Sequence, residues 1–149
     1  MQYLAILILY FATTVAAAES PRVDWSDIAD KARQQHRPIL VVFSADTCGY
    51  CIKLKREIIE PLSDDPVDGR KLLIREFDIN AGGKITDFNG ESIRSRQFKR
   101  RYNIFATPTL LILDADGQLL ADPLVGYNSA SEYRELLHAS LVTSFDALK

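Results

Sequence analysis

Five consecutive apolar residues, Ile39-Leu40-Val41-Val42-Phe43, stand a few positions before a Cys-x-x-Cys sequence, Cys48-Gly49-Tyr50-Cys51. A short, unbroken and β-branched apolar run suits a strand covered on both faces, as in the middle of an α/β sheet. Ser44 to Thr47 reads as a small polar turn. From Ile52 to Ile59 the apolar residues Ile52, Leu54, Ile58 and Ile59 are interspersed with Lys53, Lys55, Arg56 and Glu57. That is an amphipathic helical pattern, expected to bend or end near Pro61. The two cysteines are thus expected in the first turn of a helix that leaves a buried strand.

This placement sets their chemistry. A sulfur at a helix N-terminus meets unpaired backbone N–H groups and the positive end of the dipole, and both stabilise a thiolate. Cys48 is expected to have the lower pKa and to be the attacking nucleophile. Cys51, one turn further in, is expected to be more buried and to resolve a mixed disulfide. Gly49 lets a substrate chain approach closely, and Tyr50 adds an aromatic edge and a hydroxyl. As a structural staple the pair does little, because so short a loop constrains little of the unfolded chain. The rival readings are a plain surface disulfide, or half of a metal site shared with another chain. Cys48 and Cys51 are the only cysteines of the 149 residues, and His36 and His138 the only histidines. A four-cysteine or three-histidine site cannot be built from them. The histidines read as surface helix residues, and neither a metal nor a cofactor is expected.

The remaining chain supplies the other elements. Asp24 or Ser26 would cap a helix running to about Gln35, with Trp25, Ile28, Ala29 and Ala32 inward and Arg37-Pro38 as its end. Ser63 to Arg70 is a loop rich in Asp, Pro and Gly, and Lys71 to Ile79 a second strand. Asn80 to Glu91 reads as irregular and Ser92 to Tyr102 as a helix. Thr109 to Leu113 is a third strand, Asp114-Ala115-Asp116-Gly117 a turn, and Gln118 to Val125 a returning strand. Pro123 puts that strand at an edge or a bulge. Ser129 or Ser131 caps a last helix to about Val142, and Thr143 to Lys149 would fray. A βαβ unit followed by an antiparallel hairpin backed by a helix is the order of the thioredoxin fold, an α/β fold with a central mixed sheet flanked by helices. Before the third strand stands Thr107-Pro108. On local sequence alone a trans proline opening the strand is the expectation, since cis is a small minority of X-Pro bonds.

Residues 1–18 contain no charged side chain. The apolar run Leu4 to Phe11 is followed by Ala16-Ala17-Ala18, the order of a secretory signal with a small-residue cleavage site. The first residues lack the usual Lys or Arg, and an uncleaved membrane anchor is the rival reading. The run falls short of the roughly 20 apolar residues that span a bilayer. Cleavage after Ala18 and a domain over 19–149 are expected. The charge balance, 18 Lys+Arg against 20 Asp+Glu, argues against nucleic acid as a partner. The basic run Arg94, Arg96, Lys99, Arg100, Arg101 is expected to be a solvated helix face.

FSADTCGYCIKLK, the later TPT, DADG and VGY together resemble the thioredoxin superfamily over most of Asp24 to Val142. More narrowly, the insertion KITDFNGESI resembles exported bacterial thioredoxin-like proteins of the type found with sulfur-oxidation (Sox) systems. The resemblance implies that Cys48 is the nucleophile, Cys51 the resolving cysteine and Pro108 a cis-proline facing them. It also implies that Gly126 lines the substrate groove. CGYC with Thr107 before the proline is similar as well to the catalytic domain of periplasmic disulfide isomerases, without their dimerisation domain. Two departures stand out. Tyr50 and Thr47 replace the Pro and Trp of thioredoxin's own motif, and Val42 replaces its buried Asp. Proton transfer at the resolving cysteine must then use water or another side chain. Asp46 and Glu76 are the candidate acids, each read as a solvated charge.

The expected function is that of an exported, periplasmic thiol-disulfide oxidoreductase reducing disulfide-containing protein substrates, with a membrane thiol donor supplying electrons and a monomer as the expected state. A disulfide oxidant or isomerase on the same fold and a non-catalytic binding module are the alternatives. The substrate-binding residues expected are Gly49, Tyr50, Thr107, Pro108 and Gly126.

Overall fold

Strand β1 (Ile39–Ser44) is buried at all six positions. The computed structural model describes residues 23–64 and 70–149, so the expected leader over 1–18 and its cleavage site lie outside the described residues. On one side β1 pairs in parallel with β2 (Leu73–Asp78), and on the other antiparallel with β5 (Thr109–Leu113). A short β6 (Leu124–Val125) completes the sheet antiparallel to β5, giving the order β2-β1-β5-β6. The sheet is mixed and flanked by helices, as the element order implies.

The two-residue period of β1 divides its side chains between two cores. Ile39, Val41 and Phe43 pack with α1 (Ser26–Gln35) and α4 (Ser95–Arg101), whereas Leu40 and Val42 pack with the helix after the cysteines and with α5 (Ala130–Ala147). The first core is aromatic. The Phe98 ring lies 4.9 Å from Trp25, 5.2 Å from Phe77 and 5.2 Å from Tyr102, centroid to centroid. The N-cap position of α1 is Trp25, not Asp24 or Ser26, and has no side-chain cap; Asp24 Oδ1 accepts from the Ser26 N–H (2.9 Å) and hydroxyl (2.6 Å) just ahead of the first turn. The helix ends at His36 in the left-handed region (φ 48°), just ahead of Pro38.

Several expected elements are corrected. The helix after the cysteines, expected to bend or end near Pro61, is interrupted just before that residue and passes through it. It runs from α2 (Gly49–Leu54) through a π-helical segment (Lys55–Ile59) into α3 (Glu60–Asp64). Pro61 has no N–H for the Glu57 carbonyl four residues back, and Arg134 Nη2 donates to that oxygen instead (3.0 Å). The irregular stretch expected over Asn80 to Glu91 contains a strand, β3 (Lys84–Thr86), paired with β4 (Ser92–Arg94). The helix expected from Ser92 therefore begins at Ser95. The cause is long-range: the Trp25 N–H donates to the Thr86 carbonyl and the Thr86 N–H to Val23, so the start of the described chain completes the hairpin. The returning strand expected over Gln118 to Val125 shrinks to β6 and a single bridge, Leu113 to Leu119, with Pro123 between them. The fraying expected from Thr143 is absent, because α5 continues to Ala147 with Ser144 and Phe145 buried and the Arg70 guanidinium 4.4 Å from the Phe145 ring.

The basic run is only partly a solvated face. Lys99 Nζ donates to the Ile79 carbonyl, and Arg101 forks onto the buried Asp87 carboxylate, Nη1 to Oδ1 at 2.8 Å and Nη2 to Oδ2 at 2.5 Å. Burial raises the Asp87 pKa, but Arg101 and the Phe88 N–H outweigh it and hold the carboxyl below the ordinary aspartate value. This pair pins the β3–β4 hairpin to α4. Across it lies the Asp114–Gly117 turn, where Gly117 has φ 76° and a Cβ built there would meet Phe88 Cδ2 at 2.6 Å.

Gly117→Ala is expected to destabilise the fold by about 2 kcal/mol, read as a lower denaturant midpoint with an unchanged slope. Asp87→Asn removes a charge-assisted fork and is expected to cost about 2 kcal/mol at neutral pH. Because the folded-state pKa of Asp87 is depressed, its contribution is complete above the ordinary aspartate pKa and is lost as pH falls through the folded value. The stability gap between the two proteins should therefore close below about pH 4, which parallel denaturation curves across pH would reveal.

Candidate functional site

The end of β1 delivers the chain into a tight turn, closed by the Cys48 N–H on the Ala45 carbonyl (3.0 Å). Cys48 then takes the N-cap position of α2 with extended dihedrals, φ −87° and ψ 101°. An N-cap residue ordinarily offers a side-chain oxygen to the helix's unpaired N–H groups. Here the acceptor is sulfur: the Cys51 N–H points at Cys48 Sγ, 3.1 Å away. The two cysteines are joined as a disulfide with Cα atoms 5.2 Å apart. Cys48 is half-buried and Cys51 is 7% exposed, an asymmetry in the direction expected from one helical turn. Gly49 and Tyr50 are exposed between them.

The sheet register brings the second segment to the same place. Phe43 pairs with Thr109, so the residues just before Thr109 lie beside the exit of β1. The Thr107–Pro108 peptide is cis, which corrects the trans form expected from local sequence and agrees with the family resemblance. Pro108 is buried, and the Thr109 hydroxyl closes the loop on the Ala106 carbonyl (2.8 Å). Among the described residues, the Thr107 N–H and carbonyl enter no hydrogen bond. Thr109 pairs in turn with Val125, and the next residue, Gly126 (φ 81°), donates its N–H to the Pro108 carbonyl at 2.8 Å. Cys48, Thr107-Pro108 and Gly126 are thus gathered from three segments at one end of the sheet.

Val42 is buried in the second core and offers no proton-carrying group. Glu76 is its register partner on β2. Glu76 is exposed, as expected of a surface charge, and it has partners: Oε1 accepts from the Ser44 hydroxyl (2.7 Å) and Oε2 from Lys55 Nζ (3.0 Å). Burial raises its pKa, but these two partners more than offset that and leave it below the ordinary glutamate value. Lys55 stands four residues after Cys51, one turn further along the same helix. Asp46 is exposed, as are His36 and His138.

Two features escaped the sequence reading. Phe105, in the loop before Pro108, is 77% exposed, more than any other large apolar side chain among the described residues. An apolar residue two places before the Thr-Pro pair was the available signal. The second is the hydrogen bond from the Tyr127 hydroxyl to Glu57 Oε2 (2.5 Å), across 70 positions of sequence, for which no local signal exists.

Comparison with known proteins agrees with this geometry. Residues 25–141 match the family model described as a thioredoxin-like domain. The disulfide bond reductase DsbH of Chlamydia pneumoniae is 25% identical over 108 residues, which are 72% of this chain and 64% of that protein, so the match spans less than two thirds of the relative. A solved structure of a DsbH oxidoreductase superposes with a TM-score of 0.55 at 18% identity, covering 93% of this chain and 95% of the other. The periplasmic thioredoxin SoxS of Paracoccus pantotrophus, in its reduced form, gives a TM-score of 0.52 at 15% identity, covering 72% and 99%. With a CxxC at the N-cap of the helix leaving the central strand and a cis-proline just before the strand paired with it, the chain belongs to the thioredoxin-like domain family.

Proposed function

We propose that this protein is an exported thiol-disulfide oxidoreductase that reduces disulfides of protein substrates. The observation that carries the reading is the Cys48 sulfur at the α2 N-cap, accepting the Cys51 N–H beside a buried partner sulfur. After reduction, that N–H and the helix dipole favour the Cys48 thiolate. The thiolate attacks one sulfur of a substrate disulfide. A mixed disulfide forms, and the other substrate sulfur leaves as a thiolate that takes up a proton. Cys51 then loses its proton and attacks Cys48 Sγ. The second substrate sulfur leaves, and the Cys48–Cys51 disulfide is formed. The substrate has gained two electrons and two protons, and a dithiol donor must return the enzyme to its starting state. A membrane thiol carrier is the donor class we propose.

Thr107, with its backbone groups unengaged, Pro108, Gly126, Gly49 and Tyr50 are the proposed walls for an extended substrate segment. Export rests on the uncharged apolar leader and its small-residue site, with cleavage after Ala18 leaving a domain over 19–149 in the periplasm. The protein is proposed to act as a monomer. The narrower placement with exported thioredoxin-like proteins, those of sulfur-oxidation systems among them, rests on the sequence resemblance of the KITDFNGESI insertion.

Cys51→Ala is expected to accumulate substrate complexes joined through Cys48, seen as high-mass bands on non-reducing gels that dithiothreitol removes. Absence of any such adduct, with Cys48 still open to alkylation, would argue strongly against the mechanism. The direction of electron flow is read from the Cys48–Cys51 potential in thiol buffers. A value near about −270 mV is expected for a reductant, whereas about −120 to −180 mV would reassign the protein as an oxidant or isomerase. No reversible titration at all would leave only a binding module.

A further inference from the structure

Gly126 is held against Pro108 by little sheet. β6 has only two residues, and the Gly126 N–H bond to the Pro108 carbonyl is the last rung beyond it. The next residue supplies a second anchor. Tyr127 is buried, its ring 5.3 Å from that of Tyr133 on α5, and its hydroxyl reaches Glu57 Oε2 at 2.5 Å. Glu57 lies on the π-helical segment that continues the CxxC helix. It is itself fixed twice more, by Arg56 Nη2 on Oε1 (2.7 Å) and by Arg134 Nη2 on its main-chain oxygen (3.0 Å). Tyr127 and Arg56 hold the Glu57 carboxyl below the ordinary glutamate pKa, so the acceptor is ionised at neutral pH and the hydrogen bond is charge-assisted. A continuous line of contacts therefore runs from the CxxC helix through Glu57 and Tyr127 to Gly126 and Pro108.

We infer that Glu57 and Tyr127 form a positioning pair that holds the Gly126 turn against Pro108, so that the wall of the cleft beside Cys48 is preformed for an extended polypeptide disulfide. This rests on the oxidoreductase reading. The hydrogen-bonded pair touches neither sulfur, so it acts on the capture of a long substrate and not on the exchange chemistry. A small disulfide that reaches Cys48 without lying along the Gly126 wall does not need it. Ordering that turn only when substrate arrives would instead add an entropic cost to binding.

The test uses the full chain and its Tyr127→Phe variant, with insulin as the protein disulfide and hydroxyethyl disulfide as the small one. Loss of one charge-assisted hydrogen bond at the wall is expected to raise KM for insulin by about 5- to 20-fold. Turnover of the small disulfide and the Cys48–Cys51 potential should move less than about twofold on the same scale. Glu57→Gln, which keeps an oxygen for the tyrosine hydroxyl, should recover part of the insulin KM and serves as the second variant if Tyr127→Phe folds poorly. An unchanged insulin KM in both variants overturns the inference. So does a parallel loss with both substrates, which would mean general loosening of the fold. A wild-type chain that reduces neither substrate overturns the oxidoreductase reading, and the positioning role falls with it.

Discussion

The junction between β1 and α2 is the constraint from which the rest of the molecule follows. β1 is paired on both edges and covered on both faces, so its direction and register are fixed by four neighbours at once. A strand so held can deliver the chain to only one place. There the backbone must turn into a helix whose first N–H groups have no partners. Most proteins meet that need with Ser, Thr, Asp or Asn. This chain presents a cysteine, and the Cys51 N–H falls on its sulfur. A neutral sulfur is a weak acceptor and a thiolate a strong one, so the unmet demand of the helix end becomes a bias toward the reactive ionisation state. On the role proposed for Cys48, local folding physics and nucleophile activation are one interaction.

The helix behind that sulfur is tied to its surroundings where it widens. Lys55 binds Glu76 on β2, which also takes the Ser44 hydroxyl at the end of β1. Glu57 binds Tyr127 beyond β6, and its carbonyl, deprived of a donor by Pro61, takes Arg134 from α5. π-Helical segments recur at functional positions because a widened turn redirects side chains and exposes carbonyls. In this chain the widening begins at Lys55, four residues after Cys51, and Lys55, Arg56 and Glu57 within it each have a charged or polar partner. Val42 keeps the core of the central strand apolar, and the nearest charge in register stands on the neighbouring strand. Glu76 sits in register with Val42, with its hydrogen-bonding capacity satisfied rather than buried alone.

What the sequence revealed divides by the range of the interaction concerned. Ile39 to Phe43, the CxxC and Thr109 to Leu113 were legible because unbroken apolar runs and a cysteine spacing are local signals. The β3–β4 hairpin was not, since three-residue strands carry almost no periodicity and this pair depends on Val23 and Trp25, about sixty residues earlier. The last turns of α5 looked like a tail because Thr143 to Lys149 is a weakly patterned end. Phe145 nevertheless packs into the second core under Arg70. Glu57 and Tyr127 each read as ordinary residues of their own segments, and only the fold joins them. The candidate site residues were named from motif and resemblance, whereas the contacts around them were not, because a long-range contact leaves no pattern in either segment alone.

The division of the two cores bears on how such a site can work repeatedly. The face of α1 and α4 carries the aromatic cluster and the Asp87–Arg101 pair. The other face carries α2, α5 and the anchors of the CxxC helix. The proposed exchange would make and break the Cys48–Cys51 bond inside the first turn of α2, while the register of β1 on β5 and of β5 on β6 would have to stay put, because a slip of one residue would turn Pro108 and Gly126 away from Cys48. β1 and β5 have five registered pairs to resist that slip, whereas β5 and β6 have two. The weakest ladder in the sheet is thus the one that leads into the Gly126 turn, and it is there that the chain adds a charge-assisted side-chain bond to the helix bearing the cysteines.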